Sequence, residues 1–193
     1  LARPQETSAL RLADQRQRVD QAWQRLSGLV QAIDLEPSQG AGHGARLFSR
    51  LGVALQAVQA LPALREAVRA RAFDVGQSTR AFSRIVASWL SLVFEAADLA
   101  GDSDVSRQLV ALYNLTHTKE LVGQERALGS ALFASGQLSA EAVHQVQDLI
   151  DSQLRGLSAF RHFASPWAQA EVDDLAQRAL TDERARLRRL LLQ

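Results

Sequence analysis

The chain has 193 residues, is 47% hydrophobic and 22% charged, and carries a formal net charge of +1. A balance this close to neutral argues against a nucleic-acid or anionic-membrane partner recognised through a long-range field, so any anion has to be met locally. Cysteine is absent, which excludes disulfides, thiolate metal sites and thiol catalysis and leaves the redox compartment open.

Ala, Leu, Gln, Arg and Glu dominate, prolines number four, and long alternating β-branched runs are lacking, so the composition predicts an all-α fold. The length suits one domain or two closely packed helical bundles sharing long elements. A first helix is expected from Gln5 to Ile33, with Leu10, Val19, Trp23, Leu26 and Val30 at helical spacing. "DLEPSQGAGHG" then breaks it through Pro37 and three glycines. A second helix follows from Ala45 to Ala60, and Pro62 opens a third in "LPALREAVRARA".

"DVGQST" is expected as a turn ahead of a long apolar helix from Thr79 to Leu99, which Gly101 ends. Ser103 or Asp104 is expected to cap the central helix, which runs to Gly136. Ser139 caps the next, with Glu141 in its first turn where a negative charge suits the dipole, and "ASP" at Ala164 to Pro166 closes it. Trp167 to Gln193 is a charged helix with a break at Thr181-Asp182. Ile85 to Phe94, the longest apolar run, is too short to cross a bilayer, so the segment reads as soluble. A start at Leu1 without a methionine reads as a fragment of a longer protein.

The central helix carries an anomaly. Val105, Leu109, Leu112, Leu115, Val122 and Phe133 form a broad stripe at helical spacing. Lys119 and Arg126 fall within about 20° of each other in its middle, beside Gly123 and Ser130. Val110, Leu121, Leu128 and Leu132 form a second face opposite, so this helix is expected to pack on two sides. Two cations buried without partners would cost roughly several kcal/mol each. Either carboxylates such as Glu66, Glu95 or Asp98 pair with them, or a small exchangeable anion does, for which the planar fork of an arginine is suited. Lys119 is the only lysine in the chain, and a snorkelling stem with a solvated head is its other reading. Arg65 sits in the first turn after Pro62, where the helix end is already positive, so either an anion is near or the side chain is solvated.

A catalytic reading finds little support. Glu141 to His144 matches a Glu-x-x-His unit, but a second copy is missing, and His43, His117, His144 and His162 lack metal-ligand spacing. No catalytic residue, metal or cofactor is therefore expected.

"YNLTHTKELVGQERALGSALFASGQLS", Tyr113 to Ser139, resembles the signature of the nitrate- and nitrite-sensing domain family, whose members carry a K-E-x-x-G-Q-E-R-A run here. "LPALREAV" looks like the family's L-x-x-L-R segment, and "FRHFASP" like its closing element. The resemblance covers residues 1–166 and implies a sensor built of two packed antiparallel four-helix-type bundles, with nitrate or nitrite held between them by arginines and not transformed. It carries Arg126 and Arg65 over as pocket arginines, with Lys119 and Ser130 beside them as ligand-binding candidates. The E-R-G motif that the family places on its first helix is absent from this sequence.

Residues 167–193 look like a coupling helix leading to an output domain, most similar to the RNA-binding antitermination type that controls transcription of nitrogen-metabolism genes. The direct run from sensor to charged helix suggests a cytoplasmic protein, a periplasmic sensor segment being the alternative. The cluster Arg184, Arg186, Arg188 and Arg189 reads as a solvated helix face rather than a nucleic-acid contact. Oligomeric state is open, a homodimer being one arrangement. The competing reading is a structural or protein-interaction bundle without a small ligand, in which protein carboxylates satisfy Lys119 and Arg126.

Overall fold

The computed structural model describes residues 4–32, 43–179 and 182–192, and these form eight helices and no strand. In chain order they are α1 (Pro4–Ala32), α2 (His43–Gln59), α3 (Leu61–Arg69), α4 (Val75–Leu99), α5 (Ser103–Ser135), α6 (Ala140–Phe163), α7 (Pro166–Ala179) and α8 (Asp182–Leu192). The loop expected over "DLEPSQGAGHG" lies largely outside the described residues.

Residues 1–39 and 40–193 are separate compact units. In the first, α1 is a single polar helix whose Leu10, Leu12 and Leu29 are exposed and whose Arg18 pairs with Asp14 one turn away at 3.0 Å. The second unit is a set of packed helical bundles that share the long helices α4 and α5. Helix α2 packs on α4, α4 on α5, α5 on α6, and α8 on α6.

Local chemistry fixes most of the ends. Asp74 accepts a bond from the Gln77 N–H at 2.7 Å while the Gln77 side chain accepts one from the Asp74 N–H at 3.0 Å. This reciprocal capping box starts α4 at Val75, so "DVGQST" is the cap and first turn of the helix and not the expected turn ahead of it. Asp102, rather than Ser103 or Asp104, caps α5, its carboxylate accepting from the N–H groups of Asp104 and Val105 at 2.7 and 3.1 Å. Gly136 closes α5 in the left-handed region at φ 65°, where a side chain would be strained. Gly101 does not act in this way, since α4 ends through Ala100 in extended backbone.

Helix α6 begins at the Ser139 cap and ends at Phe163. Ser165 then caps α7, with Pro166 at its first position. The corner is bonded several times over. Gln169 donates to the carbonyls of Arg161 and Ala164, both at 2.9 Å, and Arg161 pairs with Asp173 at 2.6 Å. The break expected at Thr181-Asp182 falls where α8 begins at Asp182, residue 181 itself lying outside the described residues.

Two apolar clusters hold α5, α6 and the C-terminal helices together. Ala111, Phe160 and Ala164 form one, with Val172 of α7 packed against it. Val146, Ile150 and Leu191 form the other, with Leu128 and Leu132. Burying a side chain such as Phe160 or Val146 contributes about 1.5–3 kcal/mol. Between the clusters α5 and α6 approach closely at Gly156, where an added Cβ would lie 2.2 Å from the Thr118 hydroxyl oxygen.

One stretch, Gly44–Arg69 across α2 and α3, is long and apolar enough by length and composition to cross a membrane. This qualifies the expectation drawn from residues 85–94. Helix α2 nevertheless packs on α4 and buries Ala54, while its Phe48 and Val53 stay exposed.

Candidate functional site

On α5 the periodicity divides the residues as expected on one side and differently on the other. Ala111, Thr118, Leu121, Glu125 and Gly129 are buried, and Leu128 and Leu132 pack into the α6–α8 cluster. The stripe containing the two cations is instead only partly covered, with Leu109, Leu115 and Val122 half-buried. Val105, Leu112 and Phe133 are 48%, 49% and 47% exposed, and Lys119, Arg126 and Ser130 are exposed between them. Lys119 and Arg126 therefore have their heads in solvent and do not bear the desolvation cost argued from a buried stripe. Gly123 faces open space, with no atom within 4 Å of where a Cβ would stand.

The carboxylates offered as protein partners are committed elsewhere. Glu66 binds Arg69 with both oxygens, at 2.9 and 2.7 Å. Arg46 of α2 reaches Glu95 at 2.8 Å and Asp98 at 3.3 Å. Among the described residues no carboxylate pairs with Lys119 or Arg126. The hydrogen bonds from Arg69 hold the Glu66 carboxyl below the ordinary carboxylate range, with their mutual attraction acting the same way and desolvation opposing it.

Arg65 lies half-buried on α3. That helix starts at Ala60 without a side-chain cap and with Pro62 in its first turn, which leaves a partly positive end near the arginine. The structure thus groups Lys119, Arg126 and Ser130 on one face of α5 and puts Arg65 on a different element.

Three clefts run along the second unit, and none is lined by Arg65, Lys119, Arg126 or Ser130. One of about 560 Å³ lies between α2, α4 and α5, walled by Arg46, Arg50, Glu95, Tyr113 and His117. Tyr113 stacks on His117 and meets the edge of Phe94 there, at centroid distances of 5.8 and 5.6 Å. A second, of about 410 Å³, opens between the start of α4 and helices α5 and α6, with Arg80, Gln124, Leu128 and Asp148 on its walls. The third, of about 400 Å³, continues along α4 and α5, where Glu120 accepts hydrogen bonds from Ser83 and Gln124.

Sequence reasoning missed a buried polar cluster. Glu125 of α5 accepts from Gln153 of α6 at 2.9 Å, and Arg188 of α8 grips Glu125 through two nitrogens and Gln153 through one. Arg188 thus departs from the solvated face expected for the basic cluster of the last helix. A signal was present. Glu125 stands seven residues after Thr118 and fourteen after Ala111 on the inward stripe, and a carboxylate there requires a cation.

Long helices shared between packed bundles, with no strand among the described residues, define an all-helical domain. The chain belongs to the nitrate- and nitrite-sensing family, NIT, whose model matches residues 1–193. It is 38% identical over 152 residues to a nitrate regulatory protein from Klebsiella oxytoca, covering 79% of this chain and 38% of that relative. It also matches the solved structure of the NasR transcription antiterminator, with a TM-score of 0.78 and 33% identity over 90% of this chain and 45% of the other. The chain thus spans less than half the length of either relative.

Proposed function

We propose that this chain is the sensing part of a cytoplasmic regulator that binds nitrate or nitrite without transforming it and passes a conformational signal to an output domain, controlling transcription by antitermination. The ligand is held by Arg126 and Arg65 as charge-assisted donors, with Lys119 and Ser130 beside them. Residues 1–166 carry the sensing function and residues 167–193 couple it to the output. Binding shifts the packing only by its differential affinity for the two states.

The observation that carries this reading is the exposed pair Lys119 and Arg126, seven residues apart on one face of α5, with no carboxylate on either among the described residues. Membership of the family and the relatives' names, a nitrate regulatory protein and a transcription antiterminator, support the ligand and the output.

Calorimetric titration of the full-length protein with nitrate, nitrite, chloride and sulfate tests the reading. Heats for nitrate or nitrite that exceed those for chloride and sulfate, and that vanish in Arg126→Ala, are expected. Equal heats in the wild type and the variant would sink the site.

A further inference from the structure

We propose that Gly123 is the floor of the anion site and sets its preference for planar oxyanions, by keeping a patch of α5 bare beside the guanidinium of Arg126. The inference rests on the sensing function proposed above and adds to it a residue that reads the shape of the ligand rather than its charge.

A glycine inside a helix costs stability relative to alanine, so its place in the middle of a 33-residue helix needs a compensating reason. On the packed faces of α5 and α6 the reason is space. A Cβ at Gly129 would stand 3.3 Å from Leu191 Cδ1, and one at Gly156 would stand 2.2 Å from Thr118 Oγ1. Packing gives no such reason at Gly123, where no described atom lies within 4 Å of the Cβ position. Gly28 and Gly52 also face open space within helices. They are followed one turn later by Gln31 and Leu55, whereas Gly123 is followed by Arg126.

That spacing matters because long side chains on a helix lean toward its N-terminus and cover the turn before their own Cα. Gly76 and Arg80 display the effect, since Arg80 Nη1 comes to 3.2 Å from the Cβ position of Gly76. Arg126 stands about 4.5 Å along the axis and about 60° around it from Gly123, yet its side chain also stays more than 4 Å from the Cβ position. The adjoining polar groups are engaged elsewhere. Glu120 accepts from Ser83 and Gln124 at 2.5 and 3.1 Å, and buried Glu125 accepts from Gln153 at 2.9 Å. Arg126 is thus the charge that faces outward beside the bare patch.

A guanidinium fork holds two oxygens of an oxyanion in its own plane. Nitrate and nitrite are planar, so an ion held this way is one atom thick and lies flat on the backbone at Gly123. Sulfate is tetrahedral and keeps oxygens outside that plane, one of which meets the helix. Chloride offers the fork a single atom. A methyl group at position 123 lifts a planar ion off the backbone and removes its advantage.

Calorimetry and thermal unfolding of the full-length protein, with Gly123→Ala and Gly129→Ala, test this. Gly123→Ala is expected to weaken nitrate at least about tenfold and to narrow its preference over sulfate. It should also raise the Tm by about 2 °C, because alanine is the better helix former. Gly129→Ala is expected to lower the Tm and leave nitrate affinity unchanged. Nitrate affinity equal in the wild type and Gly123→Ala overturns the floor and leaves the sensing function standing. A lowered Tm in Gly123→Ala overturns it as well, because another part of the protein then packs on the patch. So does an equal loss of sulfate affinity in Gly123→Ala, or a loss of nitrate affinity in Gly129→Ala as large as that in Gly123→Ala. Absence of any nitrate heat in the wild type overturns the sensing function and the floor with it.

Discussion

Gly156 of α6 faces Thr118 of α5 so closely that any side chain at that position would meet the threonine hydroxyl, with a Cβ only 2.2 Å from Oγ1. The hydroxyl is itself engaged, donating to the Asn114 carbonyl at 2.8 Å, and Thr118 is only 4% exposed. The two helices owe their approach to this one missing methyl group. Gly156→Ala is expected to destabilise the fold by about 1–3 kcal/mol through overpacking, despite the better helix propensity of alanine. Chemical denaturation measures it. Adding Thr118→Ala should recover most of the loss, and a double variant no more stable than Gly156→Ala would show that the clash is elsewhere.

Consecutive residues on α5 should respond in opposite ways. Arg126 is exposed and pairs with no described carboxylate, so Arg126→Gln is expected to change stability by less than about 0.5 kcal/mol. Glu125 is buried against Arg188 and Gln153, and Glu125→Ala is expected to cost about 3 kcal/mol, the low end for breaking a buried pair because Arg188 is partly exposed. Parallel denaturation curves check the contrast. A large loss in Arg126→Gln would mean that Arg126 supports the fold.

Acid should weaken α3 locally. Arg69 holds the Glu66 carboxyl below its ordinary range, so the pair favours the folded helix above the unfolded-state value. The contribution disappears as the pH falls through the lowered folded value, and it is small because both groups are exposed. A carboxyl NMR titration should place the Glu66 midpoint below that of a free glutamate and return it to normal in Arg69→Ala. The same midpoint in both proteins would rule out the pair in solution.

Much of the fold was readable from the residues. Ser139, Gly136 and Pro166 mark helix ends because their backbone chemistry is local, and the structure puts them at a cap, a left-handed closure and a helix start. The start of α4 was missed because Gly76 and Ser78 look like a turn, whereas the capping box between Asp74 and Gln77 outweighs them. The reading of α5 as packed on two sides held for Leu121, Leu128 and Leu132 and failed for Leu112 and Phe133, which stay exposed. Periodicity identifies an apolar face, but what covers that face depends on other helices. Arg188 was missed for the same reason, since its partner lies sixty-three residues away.

Helix α5 has 33 residues and is about 50 Å long at 1.5 Å per residue. On such a rod Glu125 and Arg126 are fixed some 100° apart around the axis, one turned inward to α8 and the other outward. The helix thus offers an acid to α8 and a base to solvent from adjacent positions of one continuous rod.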